Sequence, residues 1–308
     1  MKFRAPVLED RDAVRAAVAA AGYVGSDAAF GNLFLLRHKY QTLVAFSGGF
    51  LLRYYQGRGS RRGYTFPLGA GDPEAALAAI EADAQSAGRP LAFCLVTEEQ
   101  KGLLLARFGE RLHFEKDPGD GDYLYNAENL ATLPGKAYQK KRNHVSRFLR
   151  AYPDAELVPI TAENRDTALA VEEQWLAGAS AGRASAQVAE RSMDDPSTLA
   201  EHDAIREGLE QFDALGMQGA LLMAEGKAVG MTMATEILPG VWDIHFEKVL
   251  GEYAANGGYA VINKLFAASL PGAKLLNREE DIGLEGLRKA KLSYCPTQIL
   301  EKSYAAEV

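Results

Sequence analysis

The stretch Val241-Trp242-Asp243-Ile244-His245-Phe246-Glu247-Lys248-Val249 runs, through Leu250, into Gly251-Glu252-Tyr253-Ala254-Ala255-Asn256-Gly257-Gly258-Tyr259-Ala260. The first part alternates, which predicts a strand with Trp242, Ile244 and Phe246 on one face and Asp243, His245 and Glu247 on the other. A row of ionisable groups costs stability inside a helix-covered sheet; it is tolerated where the sheet opens on a cleft, or on a solvated edge strand. His245 and Glu247 are neighbours on that face, so a carboxylate there tunes the imidazole or acts itself as a general base. The second part sets glycines before a helix predicted over 258–270, with Ile262, Leu265, Phe266 and Leu270 on one face. Backbone N–H groups at such a helix start bind anions.

Outward from this stretch, helices are expected over 162–178, opened at Thr161 with Asn164 three residues on, and over 198–215, stopped by Gly216. Gly219–Ala224 and Ala228–Ile237 flank Glu225-Gly226-Lys227 and read as a hairpin. Downstream come a short strand, Ala273–Leu276, a helix over 284–292 and a last strand, Thr297–Glu301. The first half repeats the order. Helices are expected over 9–21 and 27–37, then a hairpin (Gln41–Phe46 and Phe50–Tyr55), a strand Arg62–Pro67 and a helix over 73–87 opened by Asp72-Pro73. The strand Leu91–Val96, a helix over 98–108 capped by Thr97, and strands near Leu112–Glu115 and Tyr123–Tyr125 complete it. The expectation is an α/β (α+β) fold of two tandem domains, 1–130 and 156–308, each a mixed central sheet flanked by helices, joined by a basic helix within 131–155.

Length agrees: 308 residues suit two domains of roughly 100–200 residues each. Hydrophobic residues at 47% and charged residues at 24% are a globular balance. No apolar run approaches the ~18–20 residues of a membrane span, and Met1 to Asp10 contain no signal-peptide core. Cys94 sits in an apolar strand-like run and reads as a buried thiol; with only Cys295 besides it, the sequence predicts a cytoplasmic protein without disulfides. No metal-ligand set is read from the spacing. The net charge of −7 excludes a protein coated in nucleic acid but leaves room for a local basic surface.

That surface is residues 136–150, with six Lys or Arg and no acid. At ~100° per residue, Lys136, Lys140, Asn143, Arg147 and Arg150 form one stripe, opposite Tyr138, Val145, Phe148, Leu149 and Tyr152. The basic stripe is either a solvated charged face or a platform for phosphates, of tRNA or of an anionic ligand. Lys141 falls on the apolar side, with Arg142 and His144 at its boundary; it either snorkels or points into a cleft.

The order of elements, with a strand followed by a glycine loop and helix, resembles the GNAT acyltransferase fold. In that family the loop reads Gln/Arg-x-x-Gly-x-Gly/Ala and holds a pyrophosphate. Gly258 and Ala260 match its last two positions, with Asn256 between the helix start and Ala255, which replaces the usual Gln or Arg. The chain further resembles, over nearly its whole length, a bacterial family related to the C-terminal domain of phosphatidylglycerol lysyltransferase. Leu133-Pro134-Gly135-Lys136, Lys140-Lys141-Arg142-Asn143-His144 and the segment from Asn277-Arg278-Glu279-Glu280-Asp281 to Ser293-Tyr294 carry that likeness. The resemblance implies acyl-CoA or aminoacyl-tRNA as donor, since related double-GNAT proteins of the Fem type draw on aminoacyl-tRNA. It does not imply a lipid acceptor, because the membrane-spanning part of the lysyltransferases has no counterpart in this sequence.

Read by its chemistry, 277–294 holds four acids and four bases. Asn277 and Arg278 end a strand, where ligand sites open in α/β sheets; Arg288 and Lys291 share a helix face; Glu285 and Lys289 form an i,i+4 pair. The same residues also suit a charge network stitching helix to sheet. Two functions follow. In an acyl- or aminoacyltransferase, Glu247 or His245, with Asp243 beside it, deprotonates an amine or hydroxyl acceptor. Lys141, Arg142, Asn277, Arg278, Arg288 and Lys291 then hold the donor, and Tyr294 protonates the leaving group. In a non-catalytic GNAT pair, the same cleft holds a small anionic metabolite, or residues 136–150 bind RNA.

Overall fold

A computed structural model of the chain describes residues 2–57, 61–180 and 196–308. Its strands are β1 (Thr42–Ser47), β2 (Phe50–Gln56), β3 (Arg62–Tyr64), β4 (Ala92–Val96), β5 (Leu112–Lys116), β6 (Asp122–Asn126), β7 (Glu156–Pro159), β8 (Gln218–Ala224), β9 (Lys227–Leu238), β10 (Val241–Val249), β11 (Leu275–Asn277), β12 (Gln298–Leu300) and β13 (Ser303–Glu307). They form two mixed sheets flanked by helices, ordered β1-β2-β3-β4-β13-β5 and β12-β6-β11-β10-β9-β8-β7. Each sheet is antiparallel except for one parallel pair, β3 with β4 and β10 with β11.

The expected elements occur in the expected order, down to the Thr97 cap, whose hydroxyl accepts from the Gln100 N–H, with β7 and helices Ala127–Thr132 and Gly251–Ala255 added to them. The pairing departs from it. The strand around Tyr123–Tyr125, expected to complete the first sheet, lies in the second between β11 and β12. The last strand, β13, is absent from the expectation and inserts into the first sheet between β4 and β5. A cut near residue 130 therefore does not separate the two sheets.

Helices Arg11–Ala21 and Phe30–Leu35 from the first half pack with helices Arg165–Ser180 and Pro196–Glu210 from the second, and their core joins Val44, Leu51 and Leu68 of one sheet region to Met231, Met233 and Phe246 of the other. Trp242, Ile244, Phe266 and Leu270 form a separate core on the opposite face, under helices Ala127–Thr132 and Gly258–Ser269. The basic helix spans Gln139–Ala151 and buries Phe148 and, just beyond it, Tyr152; Leu149, expected on that inner face, is exposed.

Phe246 thus packs on the side opposite to Trp242 and Ile244, which corrects the strict alternation read from the sequence. The cause is a β-bulge: Ile244 faces Ala234 and Phe246 faces Met233, leaving His245 as the extra residue. One inserted residue reverses the facing of all that follow. Glu247 accordingly turns towards Asn263 of helix Gly258–Ser269, while Lys248 turns towards Glu172 and Glu201.

Candidate functional site

β10 and β11 pair only through Val241–Asp243 and Leu275–Asn277. Past that point β10 continues to Val249 while the chain turns away at Arg278, and the gap opens a cleft of about 410 Å³. Among the ionisable groups that line it are His245 and Glu247 from the bulged strand, Arg278, Glu279 and Lys291 from the 277–294 segment and Lys141 from the basic helix, with Lys39, Glu201 and Lys248 besides. Apolar residues Leu36, Ile282, Leu284 and Leu287 form much of the remaining wall.

Lys141 does point into the cleft. Its ammonium stands 3.5 Å from the centre of the Tyr294 ring, and the Arg278 guanidinium lies 5.0 Å from the same ring. Among the described residues Lys141 has no hydrogen-bonded or ion-paired partner. Burial, reinforced by the Arg278 charge, pushes its pKa down to about 8. Lys291 is pushed down to about 8 by the same two causes, and its ammonium donates to the backbone carbonyls of Arg278 and Glu279, so it shapes that turn. Burial moves the Tyr294 hydroxyl upward, leaving it a neutral phenol. Glu247 is held by Arg278 at 3.0 Å, with the Asn263 amide 3.4 Å from its other oxygen.

His245 projects from the bulge with its side chain buried. Its Nε2 is 2.7 Å from the Thr235 hydroxyl; its Nδ1 faces Asp243 at 3.3 Å and Glu279 at 3.4 Å. Asp243 is fully buried beneath the cleft floor.

Arg142, Asn277, Arg288, Asn256 and Gly258, also singled out from the sequence, do not line the cleft. Arg142 donates to the Leu133 and Gly135 carbonyls at the end of the preceding helix, a C-terminal capping role. Asn277 is buried, donating to the Val24 carbonyl and Asp122 and accepting from the Glu279 N–H. Arg288 makes a two-pronged pair with Asp281, at 2.7 and 3.0 Å. Asn256 donates to the Tyr152 hydroxyl. Gly257, in the left-handed region (φ +106°), is pressed by the basic helix, a Cβ there meeting the His144 carbonyl at 2.7 Å; a Cβ on Gly258 would meet Val249 at 2.7 Å, the Tyr253 carbonyl at 2.8 Å and Phe148 of the basic helix at 3.1 Å. Their glycine identity is explained by that close approach, and only Ala260 of the loop residues singled out faces the cleft. Glu279, although inside the quoted 277–294 segment, was not among the residues singled out; its signal was adjacency to Asn277 and Arg278 at a strand end.

Two outcomes follow. Acetyl-CoA should bind poorly, because Ala255 offers no side-chain contact and the chain's own helix covers the glycine loop; a micromolar dissociation constant by calorimetry, about 8 kcal/mol, would overturn this. Lys141→Ala should weaken binding of a small anion such as pyrophosphate by about 1–3 kcal/mol, whereas Lys140→Ala, on the exposed stripe, should change it by less than about 0.5 kcal/mol. Lys141 is cationic below its pKa, so affinity should also fall as pH rises through about 8. Salt should screen the Lys140 effect and spare most of the Lys141 effect. Equal small effects from both variants would mean that this helix touches no ligand.

The family model for phosphatidylglycerol lysyltransferase, C-terminal, matches residues 19–307. No curated protein matches the chain. A crystal structure of a protein of unknown function from Bacteroides thetaiotaomicron is 35% identical, with each chain covered in full and a TM-score of 0.90. The C-terminal domain of a putative lysylphosphatidylglycerol synthetase from Agrobacterium fabrum is 16% identical, with 98% of this chain and 92% of that one covered and a TM-score of 0.64. L-PGS from Bacillus licheniformis is 15% identical, covering 86% and 84%, with a TM-score of 0.59. These last two speak for the fold. Among the described residues no helix is long and apolar enough to cross a membrane.

Proposed function

Since the chain belongs to the phosphatidylglycerol lysyltransferase C-terminal family, we propose that it moves an acyl or aminoacyl group from an activated donor to an amine or hydroxyl acceptor, in the cleft between β10 and β11. The observation that carries this reading is that Lys141, a desolvated cation with no hydrogen-bonded or ion-paired partner among the described residues, shares with the carboxylate of Glu247 one cleft wall built on Arg278. Lys141 and Arg278 suit the anionic part of a donor; charge lining a low-dielectric cleft acts more strongly than charge in water. Glu247 takes the proton of the acceptor as its nitrogen or oxygen bonds the acyl carbon. The bond from that carbon to the leaving group then breaks, and Lys141, with its pKa near 8, supplies the proton that the leaving group needs.

The covered glycine loop favours an aminoacyl-tRNA donor over acyl-CoA, with the exposed Lys136, Lys140 and Arg150 as phosphate contacts. A second reading, a binding protein for a small anion, rests on the same Lys141 and Arg278 without Glu247. Incubation with labelled aminoacyl-tRNA or acyl-CoA and a panel of small amines, read by mass spectrometry, separates the two. Transferred product that disappears in Glu247→Gln supports the enzyme. Retention of an anion with no turnover from either donor supports the binding protein.

A further inference from the structure

Other carboxylates packed around the cleft come with their own cation. Asp27 and Asp122 share Lys302 at 2.9 and 2.8 Å; Glu280 has Arg61 at 2.5 Å, Glu247 has Arg278 at 3.0 Å, and Asp281 has Arg288 at 2.7 Å. Asp243 and Glu279 break the pattern. Among the described residues neither has a lysine or arginine beside its carboxylate; what they share is His245. Asp243 is fully buried, and neither of its oxygens accepts a hydrogen bond. An ionised carboxylate in that position is strongly unfavourable without a compensating charge. With both carboxylates ionised, one protonated imidazole would still leave a net negative charge, and burial opposes that state.

We infer that Asp243, His245 and Glu279 bind one divalent first-row cation, of the zinc or manganese kind, at the inner end of the cleft. The three ligand atoms lie within 4.8 Å of one another. The two imidazole-to-carboxylate spans are 3.3 and 3.4 Å; two ligands about 2.1 Å from a tetrahedral ion stand about 3.4 Å apart. One imidazole and two carboxylates, without a thiolate, suit zinc or manganese rather than copper(I).

The surroundings hold these ligands as outer-shell groups hold a metal centre. His245 Nε2 is engaged by the Thr235 hydroxyl and covered by Gly31, where a Cβ would come within 2.7 Å of the ring, so Nδ1 is turned to the carboxylates. Asn32 donates to Glu279 Oε1 at 3.0 Å. Glu279 itself sits in the left-handed backbone region (φ +56°), with its N–H on Asn277 Oδ1 at 2.7 Å. His245 and Glu279 line the cleft and Asp243 lies beneath it, so the open coordination positions face the bound molecule, where a cation polarises a carbonyl oxygen. The site stands whether or not the chain transfers acyl groups.

The test is calorimetric titration of chelator-stripped protein with zinc and with manganese chloride, calcium serving as comparison. One zinc or manganese per chain is expected, with affinity at least tenfold weaker in Asp243→Asn and in His245→Gln, and unchanged in Glu285→Gln on the outer helix face. No uptake of either metal at tens of micromolar, or equal affinity in all variants, overturns the site. Should either ligand variant fail to fold by circular dichroism, zinc-edge anomalous diffraction from crystals grown of the native protein and soaked in zinc decides. A peak among the three side chains upholds the site; a peak elsewhere, or none, overturns it.

Discussion

Lys302→Met is expected to cost about 3–5 kcal/mol of stability, a large part of what a domain has. The Lys302 ammonium is buried between Asp27 Oδ1 at 2.9 Å and Asp122 Oδ1 at 2.8 Å. Arg53 contacts Asp27 at 2.6 Å, and the Ser26 N–H and hydroxyl with the Asn277 amide complete the shell of Asp122. Removing the lysine leaves Asp122 without a cation and Asp27 with one of two. Urea unfolding should show a lower midpoint with an unchanged slope; a loss below about 1 kcal/mol would mean that the neighbours relax around the gap. The pH dependence has a definite sign. Burial alone raises the Asp27 pKa, but Lys302 and Arg53 outweigh it and hold the carboxyl well below the usual range. A depressed folded pKa adds stability that is fully present above the unfolded value, near 3.9, and is lost as pH falls towards the folded one. Native protein should therefore lose stability steeply below about pH 4, and part of that slope should vanish in Lys302→Met.

Glu247→Gln is expected to lower the turnover of acyl transfer about 10²–10⁴-fold, with little change in KM. Glutamine keeps the shape and an oxygen for Arg278, so the cleft wall should stand and circular dichroism should be unchanged. What disappears is the ability to take a proton in the transition state, a loss that falls on kcat and kcat/KM alike. A variant retaining more than a tenth of the native rate would remove Glu247 from the base role. Glu247→Ala is the less informative change, since it also strands the buried Arg278.

Most local structure was legible because it is written in short-range periodicity. The strand at 241–249 and the helix after Gly257 follow from spacing within one or two turns of chain; spacing puts Lys141 on the apolar side of its helix but does not choose between snorkelling and the cleft. The missing parts are non-local or acceptor-side. Nothing in Ser303–Glu307 announces that it pairs with β4 and β5, because pairing partners leave no mark on alternation. The bulge at His245 adds one residue without altering composition, yet it moves Glu247 to the other face. Arg142 resembles a ligand-binding residue until its acceptors, two backbone carbonyls, are located. The cluster of Asp27, Arg53, Asp122 and Lys302 draws on residues from both ends of the chain, and no sequence window contains it.

The place of β13 in the first sheet also sets a timetable for synthesis. The strands on either side of it, β4 and β5, leave the ribosome long before it does; at ~5–20 residues per second the wait is on the order of 10–40 s. During that interval each presents an unpaired edge, the kind of surface on which chains associate wrongly. The first sheet is therefore finished only by residues 303–307. A nascent chain stalled before residue 303 carries an open seam that chaperones, or a neighbouring copy, can reach.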